Sequence, residues 1–517
     1  MALFTREQRA FLSAVNRVAV ANPFLPELPE AEKDALGSAF VDQGSTWSLQ
    51  VDDPRKLRSN AWRICERVEE MLPELRESLL RGRAQVREED VALYEGAVVY
   101  ALYHRIYPRM VEAAFAEGNP GGSRWTHFRE FERDWNAMLG KPDGGSFSGY
   151  TPAHMFAFFY QLVRAFHWIF ENIIGNSIPA ARLRASVWQS IFTHDLHRYR
   201  RSLYGRMGDL VTLITGPSGT GKELVARAIA LSRFVPFEER SLSFSRDVTT
   251  HFHAVNIAAL SSTLVESELF GHRRGAFTGA MQDRKGWLEA CPPLGAVFLD
   301  EIGELSPEVQ VKLLRVLESR TFTPVGDTTA RRFAGKLLAA TNRDLAEEMQ
   351  RGRFREDFYY RLCSDMIRTP SLREQIDASP AVLEELVQFM ARRVAGTEYQ
   401  GVARETLEWI EQRLPRNYGW PGNYRELEQC VRNVMVRREY VPAVPSRHDG
   451  SRDWVDGIRE GAFRAEELLN QYCTWMYFQS GTYEAAAERL GLDRRTVRAR
   501  VDEKLLAQFR ASSRENL

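Results

Sequence analysis

The sequence predicts a multidomain chain: a helical N-terminal domain, an α/β core followed by a helical cap, and a small all-α unit at the C-terminus. Three observations carry this. Apolar residues recur at helical spacing in the first 180 residues, from Val91 to Tyr107 and from Met155 to Ile174. From residue 205 short β-rich runs alternate with helical stretches, the pattern of a mainly parallel sheet with helices on its faces. Finally, Val441-Pro442-Ala443-Val444-Pro445-Ser446 and the charged, Gly-containing residues to 460 read as a linker before a last helical unit.

Composition sets the outer bounds. The 517 residues hold 69 Lys+Arg and 69 Asp+Glu, a formal net charge of zero, with 44% hydrophobic residues. That excludes a wholly disordered or collagen-like chain. No apolar run reaches the roughly 18 residues of a membrane span. The first residues, Met1-Ala2-Leu3-Phe4-Thr5-Arg6-Glu7, carry charges where a signal peptide is apolar, so a cytoplasmic protein is expected. Cys65, Cys291, Cys363, Cys430 and Cys473 lie far apart and read as reduced thiols.

In the N-terminal part, turn signals (Gly118-Asn119-Pro120-Gly121-Gly122 and Lys141-Pro142-Asp143-Gly144-Gly145) separate the helical stretches. Six of the eleven tryptophans lie between Trp47 and Trp188, enough apolar material for an independent core. No early acidic pair precedes a strand-end Asp, as a phospho-receiver requires. His154, His167, His194 and His197 read as core or surface histidines rather than metal ligands.

The first strand of the core, Leu210 to Thr215, runs into Gly216-Pro217-Ser218-Gly219-Thr220-Gly221-Lys222-Glu223 and then a helix to Leu231. Strand, glycine-rich loop and helix are what a phosphate-binding loop needs. Glycines let backbone N–H groups approach phosphate, the helix N-terminus favours negative charge, and Lys222 reaches the outer phosphates. Glu223 stands where a Ser or Thr ligand for Mg²⁺ is usual. A second strand, Ala296 to Leu299, ends in Asp300 and Glu301. One carboxylate, Asp300, suits Mg²⁺, and the other, Glu301, suits orienting and deprotonating the attacking water. A third, Leu337 to Ala340, ends in Thr341-Asn342, and Asn342 could sense the terminal phosphate or position water.

In combination these residues resemble the AAA+ domain of bacterial sigma-54-dependent transcriptional activators. The resemblance covers residues 200 to 440 and rests on ordered motifs: Gly219-Thr220-Gly221-Lys222-Glu223, Glu266 to His272, Gly275-Ala276-Phe277-Thr278-Gly279-Ala280, Phe298-Leu299-Asp300-Glu301-Ile302, Phe354 to Leu362, and Trp420-Pro421-Gly422-Asn423-Tyr424-Arg425-Glu426-Leu427. Glu223 is the family's usual residue. The resemblance implies ATP and Mg²⁺ as cofactors, with Gly216 to Glu223 and Arg425 binding nucleotide. It implies a mobile loop, Gly275 to Ala280, that contacts sigma-54. Asn256 is implied as the switch residue that partners Glu301, and Arg355 and Arg361 as arginine fingers acting on a neighbouring subunit's nucleotide. Six residues of straight helix turn through about 240°, so these two arginines cannot both face one phosphate from such a helix. Asn423 is placed to cap the helix that carries Arg425, with Glu426 reciprocating. Pro324-Val325-Gly326-Asp327-Thr328-Thr329 and Ser371 to Gln375 depart from the family's usual forms.

At the C-terminus, Glu466 to Ser480, Tyr483 to Leu490 and Arg494 to Leu505 read as three helices. Gly491 is the C-cap of the second and Asp493 the N-cap of the third. This unit resembles the Fis-type helix-turn-helix of the same family, with Arg494, Arg495 and Arg498 set for bases or phosphates. Residues 441–517 hold twelve Lys+Arg and twelve Asp+Glu, yet five arginines face only Asp493 between Arg489 and Arg500. Local field, not net charge, governs phosphate affinity.

The expected organisation is therefore a regulatory or sensory domain (1–180), an ATPase core (181–375), a helical lid (376–440), a linker (441–463) and a DNA-binding unit (464–517). The expected function is ATP-driven activation of sigma-54 RNA polymerase from upstream enhancer DNA. Self-assembly into a ring, a hexamer in the family's manner, completes that expectation. Two alternatives stand beside it: a AAA+ ATPase that remodels another target, and a DNA-binding repressor with a vestigial ATPase.

Overall fold

The computed structural model describes residues 3–42, 59–82, 86–115, 124–244, 251–415, 417–442, 464–503 and 505–506. The Gly118–Gly122 turn, Trp47 and almost all of the 441–463 linker lie outside these. Two compact units are present, Met1–Arg438 and Glu439–Leu517.

The first unit begins with α1 (Arg6–Val20), α2 (Glu27–Leu36), α3 (Ser59–Gly82), α4 (Glu88–Phe115), α5 (Phe128–Leu139), α6 (Pro152–Asn172) and α7 (Ile178–Phe192). The start of α6 is set locally: Thr151 accepts the His154 N–H and Pro152 occupies the first turn. The helix is buried from Met155 through Ala165 on every side, so it must run through a core rather than along a surface. Phe156 and Phe159 are fully buried, each stabilising by about 2–3 kcal/mol.

Five strands form a parallel sheet. They are β1 (Thr212–Thr215), β4 (Phe252–Asn256), β5 (Ala296–Asp300), β8 (Lys336–Thr341) and β9 (Asp365–Arg368), in the order β4-β5-β8-β1-β9. Two short antiparallel pairs accompany it, β2 (Phe237–Glu238) with β3 (Ser243–Phe244) and β6 (Thr321–Phe322) with β7 (Arg331–Arg332). Side chains alternate along each strand. Leu213, Val297, Leu299 and Leu337 face a core shared with α9 (Ser262–Phe270), α10 (Pro307–Ser319), α11 (Leu345–Gln350) and α12 (Glu356–Leu362). Ile214, Phe298, Leu338 and Ile367 face the other way and join one apolar cluster with α1 to α7 and with α8 (Lys222–Leu231).

This corrects the expectation of an independent N-terminal core. The aromatic helices pack on α8, which lies on one face of the sheet, and their side chains share one apolar cluster with it and with that face. The unit closes with α13 (Leu372–Ala378), α14 (Ala381–Ala395), α15 (Tyr399–Arg413) and α16 (Asn423–Arg437).

The second unit packs α17 (Ala465–Ser480), α18 (Tyr483–Leu490) and α19 (Arg494–Arg500) around Cys473, Ala486, Ala487 and Val497. Gly491 ends α18 at φ 63°, and Asp493 accepts the Arg495 and Thr496 N–H groups at 2.9 Å each. α19 stops at Arg500 rather than reaching Leu505. The Asp502 N–H turns to Thr474 Oγ1 (2.9 Å), leaving the helical ladder. Among the described residues no helix is long and apolar enough to cross a membrane.

Candidate nucleotide site and projecting loops

Parallel pairing brings the C-terminal ends of the strands to one edge. Asn256 is in register with Asp300, and Thr215 with Thr341 and Arg368. Open α/β sheets bind ligands at this edge. The phosphate loop leaves β1 there. Gly216 has φ 145°, and a Cβ on it would lie 2.7 Å from the Thr369 carbonyl oxygen. Gly219 has φ 77°, and a Cβ there would meet the Gly422 carbonyl oxygen at 2.3 Å. Only glycine fits either place. Thr220 Oγ1 bonds the Pro217 carbonyl (2.8 Å) and Thr369 Oγ1 (2.7 Å), fixing the loop's curve against β9.

Lys222 is buried at the head of α8, and its Nζ donates to the Gly216 (3.0 Å) and Pro217 (3.1 Å) carbonyls. Burial holds its pKa below the ordinary lysine value; Glu301 and Asp300 oppose that shift and Arg425 adds to it. Those four side chains therefore share one electrostatic neighbourhood. Glu223, in the first turn of α8, is exposed.

Asp300 Oδ1 accepts the Glu301 N–H at 3.1 Å. Glu301 sits at φ 55°, a conformation disfavoured for a residue with a side chain and found where function requires it. Asn256 and Glu301 have different hydrogen-bond partners here. Asn256 Nδ2 approaches Asp300 Oδ2 (3.5 Å), whereas Glu301 Oε2 takes the Asn342 backbone N–H (3.2 Å). Strand register is the reason: Asn256 is paired with Asp300, and the left-handed turn at Glu301 swings the next carboxylate towards β8.

Asn423 also departs from expectation. It is the first residue of α16, and Gly422 occupies the cap position. Its Oδ1 accepts the Leu372 N–H (2.8 Å) and its Nδ2 donates to the Ser218 carbonyl (2.8 Å). The Tyr424 N–H donates to the Gly219 carbonyl (3.1 Å). Asn423 is thus a strut joining the phosphate loop, α13 and α16, and Glu426 reaches back to the Gly422 N–H (2.8 Å). Arg425, exposed in the first turn of α16, stands beside the phosphate loop.

Arg355 precedes α12 and pairs with Asp357 (2.6 Å); Arg361, in the last turn, pairs with Glu318 (3.5 Å). Both arginines are exposed.

Gly275 to Ala280 forms a loop closed by the Gly275 N–H to Ala280 carbonyl bond (2.8 Å). Phe277 is half-buried and packs edge-on against His272 (4.9 Å), whose ring is held by Ser267 Oγ (2.7 Å). Thr278 and Gly279 are exposed, and Met281 is 83% exposed. The projecting apolar group is therefore Met281 more than Phe277. The second loop is bound to this one. The Arg273 N–H donates to the Val325 carbonyl (3.0 Å), and Arg273 Nε donates to Asp327 (2.8 Å). Asp327 also takes the Thr328 (2.8 Å) and Thr329 (3.0 Å) N–H groups, and these bonds hold its carboxyl well below the usual range.

Residues 196–368, which contain the phosphate loop, the Asp300-Glu301 strand end and both projecting loops, match the sigma-54 interaction domain. That segment belongs to the sigma-54 interaction domain family. The Nif-specific regulatory protein of Azotobacter vinelandii is 44% identical over 227 residues, 44% of this chain and 40% of that protein. The DNA-binding transcriptional regulator NtrC of Rhizobium meliloti is 34% identical over 345 residues, 59% of this chain and 66% of that protein. The transcriptional regulatory protein ZraR of Klebsiella oxytoca is 37% identical over 310 residues, covering 57% and 63%. The chain spans from about two fifths to two thirds of the length of these relatives. A solved structure of NtrX from Brucella abortus aligns with 69% of this chain and 76% of its own, at 22% identity and a TM-score of 0.39.

In the C-terminal unit Arg495 and Arg498 are exposed on α19, and Arg494 pairs with Glu484 (2.9 Å). Arg500 is turned inward to Asn470 (3.1 Å). Sequence reasoning missed the Asn423 strut and the Arg273–Asp327 link. The unusual Asp327 was the available signal for the second; nothing local marks the first, because its partners lie about 50 and 200 residues away.

Proposed function

We propose that this chain is a sigma-54-dependent transcriptional activator. It binds upstream enhancer DNA through residues 464–517, assembles as a ring of subunits, a hexamer in the proposed form, and couples ATP hydrolysis to remodelling of the closed complex of sigma-54 RNA polymerase. The observation that supports this most is the Gly275–Ala280 loop, exposed at Thr278 and Gly279 and tied to a second loop, within the sigma-54 interaction domain that also carries the phosphate loop. DNA as target makes the cytoplasm its compartment.

In this reading the backbone N–H groups of Gly216 to Lys222 and the ammonium of Lys222 receive the phosphates. Glu301, oriented by the Asn342 N–H, is the base that positions and deprotonates water. Asp300 supplies the carboxylate oxygen a hard divalent cation takes, with phosphate and water completing its shell, so Mg²⁺ would be held there and would neutralise phosphoryl charge. Arg425 adds positive charge beside the loop, so α16 and the strut at Asn423 move with nucleotide state. Asn256, bonded to Asp300 at the end of β4, connects the strand edge to α9 and the projecting loops. Arg355 and Arg361, exposed and paired among the described residues with surface carboxylates, serve a neighbouring subunit. On the C-terminal unit, Arg494, Arg495 and Arg498 meet DNA.

The test is open-complex formation on a sigma-54 promoter by the full chain. Thr278→Ala abolishes it while steady-state ATP hydrolysis persists, and Glu301→Gln abolishes hydrolysis while nucleotide still binds. Sigma-54 transcription surviving in Thr278→Ala would refute the assignment and favour another remodelling target. Absence of hydrolysis in the wild type would favour the repressor.

A further inference from the structure

The α8 helix carries the phosphate loop and Lys222 at its head. Its tail ends in the carbonyls of Leu231, Ser232 and Arg233, and the last carbonyls of a helix have no partner within it. Here the partners come from α6. Gln161 and Arg164, three residues apart on one face of α6, reach them together. Gln161 Nε2 donates to the Ser232 carbonyl (2.9 Å) and Arg164 Nη1 to the Arg233 carbonyl (3.1 Å), while Arg164 Nη2 donates to the Leu231 carbonyl. Gln161 is itself locked by the Tyr199 hydroxyl (2.7 Å).

Arg164 is 2% exposed. Its hydrogen bonds among the described residues go to carbonyls, not to a carboxylate, so the negative end of the α8 dipole is its counter-charge. A buried cation separated from its counter-charge is strongly unfavourable, and α8 therefore cannot shift without α6. The chain leaving α8 is held by the same helix: Tyr160 stacks on Phe244 (3.9 Å between centroids), and Phe156 packs on Phe237 (4.9 Å). Ten residues, about 15 Å of helix, separate this clamp from Lys222.

We propose that Arg164 and Gln161 are positioning residues of the nucleotide site: the N-terminal helical layer fixes the tail of α8 and so sets where Lys222 and the phosphate loop stand. This rests on the ATPase reading above. It assigns the N-terminal layer a part in nucleotide affinity, exerted without release from the ATPase.

The experiment measures the Kd of a fluorescent ATP analogue, ATP hydrolysis and the thermal midpoint for the full chain and for Arg164→Met, Arg164→Lys and Gln161→Leu, at a temperature well below every midpoint. Arg164→Met is expected to weaken nucleotide binding about tenfold and Gln161→Leu about threefold, with Arg164→Lys recovering most of the loss. A folded Arg164→Met that binds and hydrolyses as the wild type does, with only its midpoint lowered, overturns the proposal. If Arg164→Met fails to fold, Gln161→Leu decides in the same way. A wild type that binds no nucleotide overturns the ATPase reading as well, whereas normal wild-type binding with unchanged variants overturns this proposal alone.

Discussion

Replacing Asn423 with Ala tests whether the lid is held to the phosphate loop by one side chain. Asn423 is 3% exposed and makes two cross-segment bonds of 2.8 Å, to the Leu372 N–H and the Ser218 carbonyl. Ser218 is exposed, so its carbonyl can turn to water and the loss there is about 1 kcal/mol. The Leu372 N–H is buried and would be stranded, at about 2 kcal/mol. Asn423 also sits at φ 51°, where Ala is less tolerated than Asn by about 1 kcal/mol. Asn423→Ala should therefore lower stability by about 3–4 kcal/mol. Asn423→Gly loses the same bonds but accepts the backbone conformation, so its loss should be smaller by up to about 1 kcal/mol. Urea unfolding followed by tryptophan fluorescence measures both, since Trp420 is buried three residues before. An Ala variant as stable as the wild type would show that the strut carries no load, and a Gly variant less stable than Ala would refute the backbone contribution.

Three further outcomes are expected. Asp327→Ala removes the acceptor shared by Arg273, Thr328 and Thr329, so open-complex formation should fail while hydrolysis continues; transcription at the wild-type level would sink the coupling of the two loops. Lys336, fully buried at the start of β8 and bonded to the Met207 and Leu210 carbonyls, has its pKa held down to about 7 by desolvation. Above that pH the unfolded chain binds a proton that the folded chain does not, so stability should rise as pH climbs from 7 towards 9; Lys336→Met should flatten the rise in urea midpoint, and an unchanged slope would contradict it. Arg498→Ala in the full chain should reduce the slope of log affinity against log salt by about 1 for DNA carrying the site, and an unaltered slope would remove Arg498 from the phosphate contacts.

Much of the nucleotide edge was legible because its signals are local. A glycine-rich turn between strand and helix, and two carboxylates after an apolar strand, declare themselves within ten residues. The same holds for the Gly491 and Asp493 caps in the C-terminal unit. What the sequence concealed depends on register or on distance. Asn256 faces Asp300 because β4 and β5 pair in that register, which no local motif reveals. Asn423 looks like a helix cap in sequence, but its side chain is drawn to partners on two other segments. Most opaque was the placement of the N-terminal helices. Aromatic richness indicates a core without saying whose, and that core turns out to include Ile214, Phe298, Leu338 and Ile367 of the sheet.

That shared core bears on how the protein can be dissected. A fragment begun at residue 181 would remove α1 to α6 from the apolar cluster that α8 and those four sheet residues share, and would strip the clamp from the tail of α8. Its behaviour would report exposed apolar surface and a loosened helix, and any gain or loss of activity in it would say little about a signal. Input to such a molecule has to be sought as small shifts transmitted through packed side chains, by point substitution and ligand titration in the whole chain. Cutting one part from the other does not suit a fold in which the first 180 residues share a single apolar cluster with α8 and the sheet.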